Sequence, residues 1–421
     1  MIESAWANYP DYRIALVPCP RQAEAWAGDV LIARSNRCLV VKETDHVDRL
    51  YFPESDVHWN RLTETDHHTI CPFKGEADYW SLTAIDPPLE NVAWTYRTPF
   101  PEVAGIEGHV AFYQERVRIV VVEQWPDGST VHTSFPLWGD ARDLLRLIDV
   151  EPNGVGKFVG AAYGDTARNV VEGGQLLGQA IAAAAKTTPG QRVVSASMIF
   201  AKAATFDAPI DVTVEVLRSG RTFSTLEARI EQGGGLRSAA LLLMDAGADD
   251  VIRASAAMPD VAGPNDSVPY DFGLTGREIR VVDGAYDLDP QRVGPPEIYA
   301  WIRFRDAPTE SYLHTALLSQ AMTHWTIASA LLPHEGFGEA NAHVTLSTGI
   351  MQISATFHQE VDATDWHLYA NEAIHAGAGL AGGTGRVFRQ DGQLVASYTV
   401  LAMVRGFAHD SADLGGYKAA M

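Results

Sequence analysis

Cysteine is scarce in this sequence, and so are basic residues and long apolar runs. Three cysteines in 421 residues, Cys19, Cys38 and Cys71, are too few for a disulfide scaffold and fit a reducing compartment. No apolar stretch approaches the ~20 residues that a membrane-spanning helix needs. Near the N-terminus, Glu3 and Asp11 stand where a signal peptide would carry basic residues. We therefore expect a cytoplasmic protein that does not enter a membrane.

The shortage of positive charge limits the partners of the protein. The 32 lysines and arginines are outnumbered by 53 aspartates and glutamates, which gives a formal net charge of −21. Nucleic acids and anionic membrane surfaces bind through clustered basic residues, so this balance argues against both. A phosphorylated small ligand needs only a few local cations and remains compatible with it. The length predicts roughly two to four domains.

Short strands separated by turns fill residues 12–124. Residues 30–33 and 117–122 are examples of the β-type runs in this part of the chain. No segment here has helical periodicity. We therefore predict a β-rich domain over residues 1–128, ending at the turn Pro126-Asp127-Gly128.

The densest motif of this domain is Cys71-Pro72-Phe73-Lys74-Gly75-Glu76-Ala77-Asp78-Tyr79-Trp80. Together with residues 51–53 and 93–96, it resembles a bacterial family of domains of unknown function over roughly residues 28–117. The resemblance implies a small twisted β fold and no known reaction. Five side chains are interpreted either as the walls of a polar, aromatic pocket or as residues that fix a strand crossing: His67, Cys71, Lys74, Tyr79 and Trp80. One cysteine beside two adjacent histidines lacks the spacing of a structural zinc site, so no metal is expected.

The chain is organised around Glu172-Gly173-Gly174-Gln175, which opens an Ala- and Leu-rich run through Lys186. Such a run predicts a helix without a broad polar face, and a helix of that kind lies inside its domain. Strand-like segments follow at residues 193–200 and 210–217, so we predict that a curved antiparallel sheet wraps the helix. Backbone N–H groups at a helix start carry partial positive charge and can polarise a carbonyl group.

Related motifs occur in two halves of the remaining chain. The first half contains Gly173-Gly174-Gln175 and a hairpin at residues 217–224, and the second contains Phe357-His358, residues 366–369 and residues 390–397. In this order and spacing they resemble the TesB-type acyl-CoA thioesterases (acyl-CoA thioesterase II) over about residues 144–408. The resemblance implies a tandem double hotdog, in which two antiparallel sheets each wrap a central helix, and a substrate that is an acyl-CoA or another acyl thioester.

We therefore predict an α+β fold that consists of the β-rich N-terminal domain and a tandem double hotdog. The first hotdog half is expected at residues 129–250, a linker at residues 251–297 and the second half at residues 298–421. The central helix of the second half is predicted at residues 314–325. Hotdog proteins often pair their sheets edge to edge, so we expect a homodimer.

The resembled family uses an Asp, a Thr or Ser and a Gln to hold and activate a water molecule. Alignment through the motifs places Thr323, Ile350 and Val400 at these three positions. Isoleucine and valine cannot bind or polarise water. The prediction is therefore thioester hydrolysis through an activated water, without the family's usual trio and without a metal or another cofactor.

Two alternatives keep hydrolysis and move the polar groups. In one, Thr323, His324 and Gln352 replace the trio, with His324 as the base. A lone helical histidine is also common as a satisfied core residue, and Gln352, on an alternating strand, could equally be solvated. In the other, the site lies at the first helix start, where the N–H of Gly174 faces the carbonyl and Gln175 contributes beside Glu172, unless Gln175 only ties down its loop. A third interpretation replaces hydrolysis with the binding or remodelling of an acyl or natural-product intermediate.

Substrate binding has its own candidates. The phosphates of CoA would need cations, and Arg218 and Arg221 on the first hairpin are suitable unless they are ordinary surface arginines. His358 is a further candidate for a substrate contact. The small residues at 376–383 predict either a widened pocket or a flexible loop.

Overall fold

A computed structural model describes residues 4–9, 12–19, 21–44, 48–114, 116–124, 130–134, 141–162, 170–206, 208–270, 277–287, 289–304, 308–343 and 345–407. The described residues divide into two compact units: those up to residue 134 belong to the first, and those from residue 141 onward belong to the second. The predicted boundary at residue 128 lies outside the described residues. Within these ranges, no helix has the length and apolar character that crossing a membrane requires.

Strands in two sheets build the first unit, as the β-rich prediction required. They are β1 (Ile14–Pro18), β2 (Gln22–Ala27), β3 (Val30–Ser35), β4 (Leu39–Glu43), β5 (Arg49–Pro53), β6 (Leu62–Cys71), β7 (Gly75–Leu82), β8 (Leu89–Thr95), β9 (His109–Phe112), β10 (Arg118–Gln124) and β11 (Thr130–Ser134). The larger sheet has the order β1-β4-β5-β9-β8-β7-β6, and the smaller has the order β11-β10-β2-β3. Because side chains alternate along a strand, neighbours enter separate cores: Phe52 and Trp80 join one hydrophobic cluster, and Tyr51 and Tyr79 join another.

One long antiparallel sheet and four α-helices make up the described part of the second unit. The elements are α1 (Ala141–Ile148), β12 (Val150–Pro152), β13 (Lys157–Gly160), α2 (Gly173–Thr187), β14 (Arg192–Phe200), β15 (Ile210–Arg218), β16 (Phe223–Gln232), β17 (Gly235–Asp245), β18 (Val268–Tyr270), β19 (Arg277–Val281), β20 (Glu297–Phe304), α3 (Ser311–Gln320), α4 (Thr326–Leu331), β21 (Leu346–Phe357), β22 (His367–Gly377), β23 (Leu380–Arg389) and β24 (Leu394–Gly406). The sheet has the order β12-β13-β15-β16-β17-β14-β21-β24-β23-β22-β20-β19-β18.

Helix α2 is the buried centre of the first half. Alanine, leucine and glutamine are good helix formers, and the small alanines allow close contact on all sides. Residues Gly174 to Ala185 are buried, and α2 packs against β14, β15, β16 and β17. The helix ends just before Pro189-Gly190, where Gly190 adopts a left-handed φ of 86°. The prediction of a helix inside a curved sheet is confirmed.

The two halves share a single sheet because β14 pairs with β21. Their register runs from Ser195 opposite Thr356 to Ile199 opposite Gln352. The hydroxyls of Ser197 and Ser354 are hydrogen-bonded across this junction, 2.6 Å apart. We refer to the pairing of β14 with β21 as the seam. With one helix-bearing half on each side of it, the predicted tandem double hotdog is confirmed.

The helical segment of the second half differs from the prediction of one helix at residues 314–325. Helix α3 ends at Gln320, a 3-10 turn follows at Ala321–Thr323, and α4 begins at Thr326. A cause is visible at Leu318, whose carbonyl oxygen accepts a hydrogen bond from the Tyr369 hydroxyl (2.8 Å). In a continued α-helix this carbonyl would accept from the N–H four residues later. Helix α3 packs against α2, whereas α4 is the part covered by β22, β23 and β24.

The segment predicted as a linker, residues 251–297, carries strands β18 and β19 that extend the sheet. Strand β19 was not predicted because two of its buried side chains, Arg277 and Glu278, are charged, and charged residues usually indicate an exposed segment. Glu278 accepts hydrogen bonds from Arg303 (2.7 Å) and Arg280 (2.8 Å), so its charge is paired. Buried charges are tolerated when they are paired in this way.

A buried histidine on β22 should make the stability of the second unit depend on pH. His367 is 1% exposed, and burial lowers its pKa from 6.5 to about 4. Between pH 6.5 and about pH 4, His367 is protonated in the unfolded chain but neutral in the folded chain. The free energy of unfolding therefore falls as the pH is lowered through this range. The loss at this residue should be about 2 kcal/mol between pH 7 and pH 5.

The matched variant for this test is His367→Asn. The Nδ1 of His367 lies 3.0 Å from the Asp365 carbonyl oxygen, and an asparagine amide can donate to the same acceptor without titrating. Urea unfolding at pH 7 and pH 5 should show a smaller loss of stability in the variant than in the native protein. Equal losses would mean that His367 does not carry this pH dependence.

Candidate active site

The start of α2 touches the end of α3 because two glycines remove the side chains between them. A Cβ at Gly174 would lie 2.2 Å from the carbonyl oxygen of Gln320. A Cβ at Gly178, one turn later, would lie 2.9 Å from Ile148 and 3.4 Å from the Ala316 carbonyl oxygen. The first half thereby presents the residue before α2 directly to the last turn of α3.

That residue is Glu172, and it forms the centre of a polar cluster. His324 Nδ1 lies 2.9 Å from Glu172 Oε1, and the Gln320 side chain donates a hydrogen bond to Glu172 Oε2 (2.7 Å). The side chains of His324 and Glu172 are 13% and 25% exposed, so the pair is largely shielded from solvent. The carboxylate thus comes from the first half, whereas the imidazole and the amide come from the second.

Arg277 on β19 closes the cluster from the other side. Its guanidinium donates to Gln320 Oε1 (2.6 Å) and lies 2.9 Å from His324 Nε2. A guanidinium has only donors, so we assign Nε2 as the acceptor in this contact and the Nδ1 N–H as the donor that faces Glu172. We call Glu172, Arg277, Gln320 and His324 the inter-half cluster.

The inter-half cluster keeps Glu172 ionised. Burial on its own raises the pKa of this carboxyl group, but the neighbouring His324 and Arg277, with the hydrogen bond from Gln320, outweigh it and hold the pKa below the ordinary value. The N-terminus of α2, where Glu172 is the N-cap residue, adds further positive potential. At neutral pH the site therefore contains a fixed carboxylate at a helix start.

The structure brings one of the four predicted catalytic residues, His324, into this cluster. Thr323 is buried, and its hydroxyl donates back to the Gln320 carbonyl oxygen (3.4 Å). Gln175 is fully buried, and its amide donates to the Ala161 carbonyl oxygen (2.9 Å). Gln179 donates to the same carbonyl oxygen (2.8 Å), so Gln175 has the loop-fixing contact that was the alternative interpretation.

Gln352 lies on the other face of the sheet. Its register partners Ile199 and Leu401 are both exposed, whereas the next residue, Ile353, is fully buried beneath the sheet. Since side chains alternate along a strand, Gln352 points away from the helices. A bulge between Ile350 and Gln352 changes the alternation there, which the sequence pattern did not reveal.

The predicted substrate-binding residues occupy three places. Gly174 is in the contact between α2 and α3, while Arg218 and Arg221 are exposed at the hairpin between β15 and β16. His358 follows β21, and its Nε2 lies 3.0 Å from the Ser397 hydroxyl. Burial, and then the nearby Arg192, lower the pKa of His358. Among the described contacts, none links His358 or the two hairpin arginines to the inter-half cluster.

The three residues predicted to stand at the trio positions are Thr323, Ile350 and Val400. Val400 is 4% exposed and opposes the buried Ile353, while Ile350 opposes the buried Ala402. With the Thr323 hydroxyl turned to its own helix, the described contacts give these three positions no shared polar centre.

Two glycines of β23, Gly383 and Gly385, lie in close contact with neighbouring side chains. A Cβ at Gly385 would lie 2.1 Å from the Tyr398 ring, and one at Gly383 would lie 2.9 Å from Thr326. These glycines therefore make room for side chains of the fold itself. Ala378 and Gly379, with φ of 54° and 77°, form the tight turn between β22 and β23. The interpretation of residues 376–383 as a widened pocket stays a prediction.

Sequence reasoning placed Glu172 at the helix start without giving it a catalytic role, and it did not select Gln320 or Arg277. Gln320 and His324 are four residues apart, which places two polar side chains on one face of a helical segment and was a usable signal. Glu172 stands directly before the two glycines that open α2. Arg277 gave no signal, because it reaches the cluster only through the pairing of β19 with β20.

The first unit was predicted to hold a pocket of five residues, and the structure divides them. His67 and Tyr79 line a cleft. Lys74 forms an ion pair with Glu43, Cys71 packs against the hydrophobic cluster of Tyr79, and Trp80 belongs to the other cluster. Among the described residues, no group of three or more His, Cys, Asp or Glu is placed to hold a metal ion.

Comparison with known proteins gives the same division of the chain. Residues 163–247 match the family model of the acyl-CoA thioesterase N-terminal domain, and residues 253–404 match that of the acyl-CoA thioesterase C-terminal domain. Residues 15–123 match a domain of unknown function, DUF427. The predicted resemblances of both parts to these families are thereby confirmed.

Individual relatives are distant but match over nearly their whole length. Acyl-CoA thioesterase 2 of Haemophilus influenzae is 27% identical over 286 residues, which cover 62% of this chain and 97% of that protein. Acyl-coenzyme A thioesterase 8 of Mus musculus is 26% identical over 302 residues, which cover 64% and 91%. Among solved structures, the acyl-CoA thioesterase II TesB2 of Mycobacterium marinum aligns with a TM-score of 0.54 at 24% identity, covering 63% of this chain and 99% of that one. At this identity the structural likeness shows the fold.

Proposed function

Since the second unit of the chain belongs to the acyl-CoA thioesterase family, we propose that this protein hydrolyses an acyl-CoA or a related acyl thioester to a free acid and a thiol. One observation carries the proposal within the site. The ionised carboxylate of Glu172 lies 2.9 Å from His324, at the start of a buried helix. It offers what the trio positions lack, a fixed group that can bind and deprotonate water.

In the proposed reaction Glu172 is the general base. Its carboxylate takes a proton from water while the water oxygen bonds to the thioester carbonyl carbon, and the carbonyl π electrons move onto the carbonyl oxygen. The partial positive charge at the start of α2 stabilises the resulting oxyanion. The C–S bond then breaks, the acid leaves, and the departing thiolate takes the proton that Glu172 held.

The other members of the inter-half cluster act on Glu172. His324 and Gln320 donate to its two oxygens, which fixes the direction of the carboxylate and keeps it ionised. Arg277 occupies His324 Nε2, so the imidazole serves as a donor to Glu172 and not as the base. We assign these three as positioning residues.

For substrate binding we retain the two arginines of the hairpin between β15 and β16. Arg218 and Arg221 are exposed cations on an acidic protein, so they are suited to the phosphates of a CoA-type thiol. The chemistry proposed here uses only side chains, backbone N–H groups and water.

Thiol release tests the proposal. The full-length protein is incubated with short-, medium-, long-chain and aromatic acyl-CoAs, and a thiol reagent follows the free CoA. We expect turnover with at least one class, with one thiol formed for each thioester consumed.

The competing function is non-hydrolytic binding or remodelling of an acyl intermediate, and the apolar Ile350 and Val400 at the trio positions favour it. It predicts saturable binding of an acyl-CoA with no thiol release in any of the four classes. That result, with folding verified by circular dichroism, would overturn the hydrolase proposal.

A further inference from the structure

We propose that the cleft in the first unit binds a small planar aromatic anion that also carries a hydrogen-bond donor. The cleft has a volume of about 730 Å³. Its lining residues are His67, Tyr79, Pro87, Glu90, Asn91 and Arg116, together with Pro88 and Tyr113. All of these residues belong to the first unit, whereas the inter-half cluster belongs to the second.

The aromatic walls of the cleft are held in place before any ligand arrives. The Tyr79 hydroxyl is hydrogen-bonded to Thr69 Oγ1 at 2.8 Å, and the His67 ring lies edge-on to the Tyr79 ring with centroids 4.7 Å apart. Tyr113 is fixed by Trp94, whose ring centroid is 4.7 Å away. Tyr79 is only 5% exposed and supports the His67 ring, so the exposed His67 and the half-buried Tyr113 are the rings that a ligand would meet. Fixed rings bind a flat ring at low entropic cost, which favours an aromatic ligand.

A local irregularity of β6 places His67 at the cleft. Glu64 pairs with Trp80 and His68 pairs with Asp78, so three residues of β6 oppose the single residue Tyr79 of β7. Bulges of this kind re-aim side chains and are common beside binding sites. Here the bulge turns an exposed imidazole toward a tyrosine ring that is otherwise part of the core.

Asn91 is held by the same bulge. Thr65 Oγ1 donates to Asn91 Oδ1 (2.7 Å), and the Asn91 backbone N–H donates to Ser81 Oγ (2.9 Å). The residue has a φ of 48°, in the left-handed region that costs energy for a side chain other than glycine. With its oxygen engaged, the Asn91 amide nitrogen is the donor that the side chain can offer to a ligand.

Charge defines the rest of the ligand. The exposed guanidinium of Arg116 is steadied by a hydrogen bond to the Glu90 carbonyl oxygen (2.6 Å), and its other N–H groups suit a carboxylate or a phosphate. The Glu90 carboxylate can accept only, so it suits an amino or hydroxyl group on the same ligand. Aminated or hydroxylated aromatic acids and nucleoside monophosphates share this chemistry.

Isothermal titration calorimetry of the full-length protein distinguishes aromatic acids from nucleoside monophosphates. One arm uses 4-hydroxybenzoate and the other adenosine 5′-monophosphate, and cyclohexanecarboxylate and ribose 5-phosphate serve as their non-aromatic counterparts. We expect one equivalent to bind in one of the two arms, at least about tenfold tighter than its counterpart.

Two exposed arginines provide matched variants. Arg116→Gln should weaken binding at least about tenfold, whereas Arg118→Gln, on β10 and outside the cleft, should leave it unchanged. His67→Ala should weaken binding by a smaller factor. The proposal is overturned if neither aromatic anion binds at millimolar concentration, or if Arg116→Gln binds as tightly as Arg118→Gln.

Discussion

Replacing Glu172 with glutamine should lower kcat for thioester hydrolysis by about 100- to 10 000-fold. Glutamine has nearly the same shape, but its amide cannot take a proton from water. The substitution leaves the proposed contacts of Arg218 and Arg221 with the CoA phosphates unchanged, so KM should stay close to that of the native protein. Steady-state thiol release with the best acyl-CoA measures both constants.

Two further variants sharpen this test. Glu215→Gln removes a carboxylate at an exposed position of β15 and should leave kcat unchanged. His324→Asn can still donate to Glu172, so it should retain more activity than His324→Ala. If Glu172→Gln keeps full activity while Thr323→Ala or His324→Ala loses it, the base has been assigned to the wrong residue.

Replacing Gly174 with alanine should destabilise the second unit by about 3 kcal/mol or more. The added methyl carbon would lie 2.2 Å from the Gln320 carbonyl oxygen and 2.8 Å from its carbonyl carbon and Cα. All three are backbone atoms, so no rotamer change relieves the clash and α2 must move away from α3. That movement also separates Glu172 from Gln320, so hydrolysis should fall as well.

Urea unfolding, monitored by hydrogen exchange of the backbone amides in α2 and α3, measures this loss in the free energy of unfolding. Gly235→Ala is the control, because a Cβ there meets nothing nearer than the Gln232 carbonyl oxygen at 3.7 Å. It should change stability by less than about 0.5 kcal/mol. Equal effects of the two substitutions would show that the contact between α2 and α3 is not tightly packed.

The regular parts of the fold could be predicted because their causes are local. The run after Gly174 is rich in helix formers, and the strand ending at Arg218 alternates apolar and polar residues. The end of α3 could not be predicted, because the Tyr369 hydroxyl that takes the Leu318 carbonyl comes from a distant strand. Strand β19 was missed because Glu278 finds its arginine partners only in the folded chain.

The site divides in the same way. His324 was predicted because histidine is the side chain that ordinarily titrates near neutrality and so suits a base, and Glu172 was weighed because it flanks the helix start. Their contact spans the two halves, and no pattern within either half encodes it. Gln352 was misplaced because a single bulge reverses which face of β21 a side chain occupies.

The seam between β14 and β21 also bears on how the two halves can diverge. Cleaving the chain after β17 would separate β14 from β21 and leave each fragment with an exposed edge strand. Exposed edge strands pair readily with strands of other molecules. Kept in one chain, each edge strand always meets the same counterpart at an effectively high local concentration. Neither half then needs an edge that pairs with a second copy of itself, so their sequences are free to differ. The first half supplies Glu172 and the second supplies His324.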